Sequence, residues 1–148
     1  MTVSKEDSTA FSDAIQARDA EAVRNLIQQF PELANHPDWV PPPLHCAVLW
    51  NQPEIAEVLL DSGADIEMLD PDRQTTPLRY AVMYCKTELI PLLLKRGANS
   101  GAIVEDGSSA LELAREAAGG AYEEYEDLPR PADYQKVVDV LLQNGITE

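Results

Sequence analysis

The residues of this chain that could do chemistry are few and scattered. It has two histidines, His36 and His45, and two cysteines, Cys46 and Cys85. A catalytic nucleophile needs a base within hydrogen-bond reach, and nothing in the sequence pairs either histidine with such a partner. The cysteines form neither a zinc-type cluster nor a disulfide framework, so we expect both to be free thiols.

Carboxylates are the other candidates for chemistry. Glu123 and Glu124 are adjacent, but they lie in a loop segment where nothing desolvates one of them and raises its pKa, as a general acid requires. The chain also lacks a glycine-rich phosphate loop. The sequence therefore predicts no enzyme, no metal site and no cofactor.

Charge restricts the class of partner. The 148 residues are enough for one domain and carry a formal net charge of −15. This charge repels nucleic acid and anionic lipid, so the expected partner is a protein with a basic surface. No apolar run approaches the ~20 residues that cross a bilayer, and the first residues do not resemble a signal peptide. We expect a cytoplasmic protein that is monomeric when free.

The charge is unevenly distributed along the chain. Residues 1–70 carry 13 acidic and three basic side chains, residues 71–100 carry two and five, and residues 101–148 carry 11 and three. A basic segment thus lies between two acidic ones. The pattern is either a field that steers a partner or a set of solvated faces that keep the protein soluble.

A repeat of about 33 residues runs through the chain. The alanines Ala14, Ala47, Ala81 and Ala114 are separated by 33, 34 and 33 residues. The motif around them is clearest in residues 42–48, which read PPLHCAV, and in residues 76–82, which read TPLRYAV. A second block, IAEVLLDSGAD at residues 55–65, returns as LIPLLLKRGAN at residues 89–99. Such periods are typical of stacked units that share one core.

These blocks resemble the ankyrin repeat, whose Thr-Pro-Leu-His-x-Ala opening, Val-Leu-Leu second helix and Gly-Ala-Asp exit stand here at the family spacing. The resemblance covers residues 8–147 and implies an all-α solenoid of about four helix-turn-helix repeats with short finger loops. We divide the chain into an N-terminal tail at 1–7 and one domain at 8–148, with repeats at about 8–38, 39–71, 72–105 and 106–148. The resemblance also implies that His45 is structural and bonds the backbone of the adjacent loop.

Helix signals support this architecture. Thr76 is placed to cap a helix that Pro77 begins. Gly63, Gly97 and Gly145 follow apolar helical runs, where a left-handed residue commonly ends a helix. Two family glycines are replaced: the finger glycine by Val40 and Gln74, and the glycine between the paired helices by Asp19, Asn51 and Cys85. We therefore expect irregular finger turns. Nothing in the sequence explains why Cys85 replaces the glycine between the paired helices of its repeat.

The largest departure from the pattern lies in repeat four. From Leu94 to its counterpart Leu142 is 48 residues instead of 33, which indicates an insertion at about 118–132. Tyr122 and Tyr125 stand there among several carboxylates. The segment is either a solvated loop or a contact site for a basic partner.

In ankyrin-type proteins the finger tips and the exposed side of each first helix line a concave binding surface. Mapped onto this chain, the first-helix positions are Leu49, Trp50, Met83, Tyr84, Glu116 and Ala117. The finger positions are Asp38, Trp39, Asp72, Arg73, Glu105 and Asp106, and we add Tyr122, Glu123, Glu124 and Tyr125 of the insertion as partner-binding residues. Exposed aromatics often form an interface centre. Alternatively, Trp50 packs on the neighbouring repeat and Trp39 on its own proline run.

The leading hypothesis is a protein-binding module that uses this aromatic and acidic face. Its more specific form is a stoichiometric inhibitor of a basic enzyme, such as the immunity protein of a bacterial toxin. One alternative is a general adaptor or scaffold in a larger assembly. Another is a thiol-based sensor or enzyme that uses Cys85.

Overall fold

The computed structural model describes residues 2–102 and 107–148, and within these ranges the chain is helical with no strand. The helices are α1 (Lys5–Gln16), α2 (Ala20–Gln29), α3 (Pro43–Leu49), α4 (Pro53–Asp61), α5 (Pro77–Met83), α6 (Leu89–Lys95), α7 (Ala110–Ala118) and α8 (Pro131–Gln143). A short 3-10 helix, Pro31–Asn35, follows α2. Consecutive helices form four pairs, so the all-α solenoid of helix-turn-helix repeats is confirmed.

The repeats share one continuous core. Helix α3 packs against α5 and α5 against α7, while the second helices pack α2 against α4 and α6 against α8. The motif alanines Ala47, Ala81 and Ala114 are fully buried between these helices, where a larger side chain would hold them apart. Burying each neighbouring motif leucine adds about 2 kcal/mol of stability. Stacking therefore supplies the core that no helix pair has alone.

Helix α1 begins earlier than the sequence predicts. The Asp7 amide donates to the Ser4 hydroxyl at 3.1 Å, and the Ser4 amide donates to the Asp7 carboxylate at 3.0 Å. This reciprocal capping box satisfies two amides that a helix otherwise leaves unpaired. Residues 5–7, which the sequence assigns to a tail, are therefore the first turn of α1.

The left-handed residues between paired helices are largely those predicted. Asn51 and Cys85 both have φ of 52°, but in repeat one the left-handed residue is Arg18 rather than Asp19. Asp19 comes one residue later and caps α2, because its carboxylate accepts from the Ala22 amide at 3.0 Å. The predicted C-terminal glycines, Gly63, Gly97 and Gly145, all have positive φ.

Loss of the finger glycine does not open the finger of repeat three. The Gln74 amide donates to the Asp70 carbonyl at 2.7 Å, and the Asp70 amide donates to the Thr75 carbonyl at 3.0 Å. Gln74 adopts the left-handed backbone itself, with φ of 48°. The finger thus keeps a hydrogen-bonded turn.

Two buried polar side chains connect successive repeats. His45 donates from Nε2 to the Thr75 carbonyl at 2.8 Å, as the resemblance implies for this histidine. One repeat later Arg79 occupies the equivalent position and donates from Nη1 to the Ser108 carbonyl at 2.6 Å. Each side chain therefore fixes the first helix of its repeat to the next finger.

The insertion is a series of turns. The Glu123 amide donates to the Gly120 carbonyl, the Tyr125 amide to the Tyr122 carbonyl and the Leu128 amide to the Tyr125 carbonyl. Helix α8 then begins at Pro131, and the buried Tyr134 donates its hydroxyl to the Met83 carbonyl at 2.6 Å. This contact fixes α8 to the end of α5.

Candidate protein interface

A groove lies between helix α1, the first finger and helix α3. It has a volume of about 400 Å³. Four predicted interface residues line it, namely Asp38, Trp39, Leu49 and Trp50. We call it the tryptophan groove. Among the described residues that line it, none is a lysine or an arginine.

The two tryptophans differ in exposure. Trp39 is partly buried, and its ring lies 5.2 Å from that of Phe11 in helix α1, centroid to centroid. The alternative that Trp39 is a packing residue is thus half right, but the partner is Phe11 of the preceding repeat. Trp50 follows α3 as its C-terminal cap and is 38% exposed. The groove therefore combines a fixed indole with an accessible one.

Helix α1 contributes residues that the sequence reasoning missed. Ser12 and Ile15 line the groove beside the two tryptophans. They are three residues apart, which places them on one face of a helix. That spacing is visible in the sequence, but the motif is weaker in repeat one, so its first helix was not included in the predicted surface.

Cys46 also lines the groove. Its thiol donates to the Pro41 carbonyl at a sulfur to oxygen distance of 3.4 Å. Burial raises the pKa of Cys46 to about 11. The thiol therefore remains protonated at neutral pH and serves as part of the apolar wall.

Repeat three brings a second group of predicted residues together. Arg73 donates from Nη1 to the Tyr84 hydroxyl at 2.5 Å, and its guanidinium lies 5.9 Å from the Tyr84 ring centroid. The Tyr84 ring is 5.4 Å from that of Tyr80, whose hydroxyl donates to Asp70 at 2.6 Å. Asp72 is exposed in the same finger, and Met83 is partly buried. Arg73 and Tyr84 thus form a single surface cluster.

Repeat four matches the predicted surface only in part. Glu116 is exposed as expected, but Ala117 is buried at 2% exposure. Ala117 lies on the helix face that carries the motif alanine Ala114, so it belongs to the core and not to the concave surface. Glu105 and Asp106 lie outside the described residues.

The insertion forms a cleft of its own. It has a volume of about 430 Å³ and is lined by Tyr122, Tyr125, Glu123, Glu126 and Arg130, among others. The two tyrosine rings are 6.2 Å apart, centroid to centroid. Glu124 is exposed but does not line the cleft. The tyrosines are therefore grouped with a cation as well as with carboxylates.

Two further findings concern metals and membranes. Among the described residues, no group of three or more histidine, cysteine, aspartate or glutamate side chains is arranged to hold a metal ion. The described helices include none that is long and apolar enough to span a bilayer.

The repeat motif identifies the architecture that carries these surfaces. A family model described as ankyrin repeats (many copies) matches residues 44–94, which run from α3 to the end of α6. Residues 44–94 contain ankyrin repeats. The matched ankyrin repeats include Trp50 and the Arg73–Tyr84 cluster, and ankyrin repeats are protein–protein interaction modules. The chain matches none of the curated proteins compared with it.

Proposed function

We propose that this ankyrin-repeat protein binds a basic partner protein through the tryptophan groove, with the Arg73–Tyr84 cluster on the adjacent repeat as a flanking contact. The observation that carries the proposal is the combination of two indole rings and an exposed carboxylate in one open groove, whose described lining residues include no lysine or arginine. Fully desolvated tryptophans are frequent centres of protein interfaces. A carboxylate at the edge favours a partner of opposite charge.

Charge supports a basic partner. The first 70 residues, which build both repeats of the groove, carry 13 acidic and three basic side chains. The basic segment at 71–100 is less positive at the surface than its sequence implies. Arg79 is buried, and Arg96 forms an ion pair with Asp61 of the preceding repeat.

The accessible surface of the described residues suits a stoichiometric inhibitor. A standard interface covers about 800 Å² on each partner, and the accessible surface of the described protein is 7876 Å². One such contact would therefore occupy roughly a tenth of the surface and cover the active site of a small enzyme by occlusion. A strong opposite charge speeds association, which an inhibitor of a toxic enzyme requires.

The environment of Cys85 does not favour the thiol-sensor alternative. Cys85 is partly buried and packs against the core. Burial, with a smaller contribution from Asp133, raises its pKa to about 11. A redox-active or catalytic cysteine needs a lowered pKa, because the thiolate is the reactive form.

Affinity capture from the native lysate tests the proposal. The tagged wild type is compared with Trp50→Ala and with Tyr125→Ala, which removes an exposed aromatic from the insertion cleft instead. We expect one basic protein, bound in a 1:1 complex, whose affinity falls at least about tenfold in Trp50→Ala and stays unchanged in Tyr125→Ala. Circular dichroism of each variant controls for folding.

The other outcomes separate the alternatives. Several unrelated partners would favour the adaptor or scaffold. A partner that Trp50→Ala retains and Tyr125→Ala loses would transfer the interface to the insertion. An acidic partner would contradict the charge argument.

A further inference from the structure

The tryptophan groove has the chemistry of a site for one cationic side chain. The chain has two tryptophans, and both line this groove. The face of an indole ring carries negative electrostatic potential and attracts cations more strongly than the other aromatic side chains do. Pro41 and Leu49, which are partly exposed, supply apolar walls of the groove.

Asp38 adds a charge that is available for a partner. Its side chain is exposed at the edge of the groove. Its backbone amide donates to Nδ1 of His36 at 3.3 Å, whereas no described side chain donates to its carboxylate. A ligand that ends in a cation would gain an ion pair there without breaking an existing one.

We propose that the groove receives an arginine side chain of the partner, with its guanidinium stacked on an indole and paired with Asp38. This inference rests on the proposed function and names the anchor residue that the partner presents. Arginine fits better than lysine because its planar guanidinium stacks on aromatic faces and can donate two hydrogen bonds to one carboxylate. Its aliphatic stem would lie along the apolar walls.

Two other hollows among the described residues lack this combination. The insertion cleft has tyrosines and carboxylates, but Arg130 also lines it and would repel an incoming cation. The hollow on the other side of Trp50 is lined by Gln16, Arg18 and Gln52. Arg18 donates from Nη2 to the Trp50 carbonyl at 3.1 Å and is not a lining residue of the tryptophan groove.

A peptide titration tests the arginine site directly. The probes are acetyl-Gly-Ser-Arg-Ser-Gly-amide and two matched peptides in which citrulline or lysine replaces the arginine. Citrulline keeps the planar shape and removes the charge, whereas lysine keeps the charge and removes the plane. Trp50 also lines the hollow that contains Arg18, whereas Trp39 does not, so a shift of both indole N–H resonances together reports binding in the groove.

We expect the arginine peptide to shift both indole resonances in a saturable manner. The citrulline and lysine peptides should each bind at least about threefold more weakly. Asp38→Asn should weaken the arginine peptide about fivefold and leave the citrulline peptide unchanged. Glu123→Gln, which neutralises a carboxylate of the insertion cleft, is the matched control and should change neither affinity.

The outcomes that overturn the inference are distinct from those that overturn the proposed function. If the citrulline peptide binds as tightly as the arginine peptide, the groove recognises only apolar and planar shape and not charge. If the lysine peptide binds as tightly as the arginine peptide or more tightly, guanidinium stacking is excluded. If no peptide moves the indole resonances but the captured partner still depends on Trp50, the arginine site is wrong and the proposed function stands. If the arginine peptide binds but Trp50→Ala retains the partner, the proposed function is wrong.

Discussion

His45 is a titratable side chain that is buried in the core and connects two repeats. The ring is fully buried, with its edge against the Tyr80 ring at a centroid distance of 4.9 Å. Nε2 must carry the hydrogen that bonds the Thr75 carbonyl, and Nδ1 has no hydrogen-bond partner among the described residues. The ring is therefore held in the neutral form, and burial lowers the pKa of His45 below its ordinary value of 6.5.

This pKa shift predicts a loss of stability in mild acid. Because the unfolded chain takes up a proton at His45 more readily than the folded chain, stability is complete above the ordinary pKa and falls as the pH drops below it. Between pH 6.5 and 5 we expect the free energy of unfolding to fall by about 1 kcal/mol. Urea unfolding of the wild type and of His45→Gln, measured across this range, checks the slope.

The control for that experiment is the second histidine. His36→Gln should keep the wild-type slope, whereas His45→Gln should lose most of it. The range stays above pH 5 because hydrogen bonds with Ser4 and Ser109 lower the pKa of Asp7 and of Glu112, so these carboxyls release their stabilisation only in stronger acid. If the free energy of unfolding of His45→Gln still falls with pH as it does in the wild type, groups other than His45 cause the acid sensitivity.

Single positions were predictable where the motif is intact. The role of His45 and the left-handed backbone at Asn51 follow from their places in clear copies of the repeat. In the eroded first repeat, the left-handed residue is Arg18 instead of Asp19, and the Phe11–Trp39 contact was not predicted. Such contacts depend on how one repeat is oriented on the next, which a period does not specify.

The α7–α8 pair is the element that departs most from the repeat. The period located its insertion, but Tyr134 lies outside every copied motif, so its role became visible only in the structure. Its buried hydroxyl donates to the Met83 carbonyl across to helix α5. The first turn of α8, which directly follows the inserted turns, is thus fixed to repeat three.

Removing that hydroxyl should weaken the connection between the last two repeats. Tyr134→Phe leaves the Met83 carbonyl without its donor in a partly buried site, so we expect the free energy of unfolding to fall by about 1 kcal/mol. Tyr125→Phe is the matched control, since Tyr125 is 55% exposed and its hydroxyl remains in water. Urea unfolding of the two variants beside the wild type checks this, and equal stability of all three proteins would contradict the bond.

Charge acts on the molecule as a whole. The tryptophan groove is built by the acidic first two repeats, whereas the acidic residues of the last repeat include those of the insertion. The sequence left open whether these charges steer a partner or only keep the protein soluble. The position of the groove between α1 and α3 puts the proposed interface on the first acidic segment, and Asp13 and Asp38 are exposed on the same two repeats.

Steering predicts that the first acidic segment controls the association rate. With the captured partner, Asp13→Asn combined with Asp38→Asn should slow association several-fold at low salt, and raising the salt from about 0.05 M to 0.5 M should reduce the difference because the charges are screened. Glu123→Gln combined with Glu124→Gln removes the same charge from the insertion and should slow association less. Stopped-flow measurement gives the association rates separately from dissociation. If both pairs of substitutions slow association equally, net charge alone steers the encounter. If neither pair slows it, the acidic residues do not steer the partner, and their role is to keep the protein soluble.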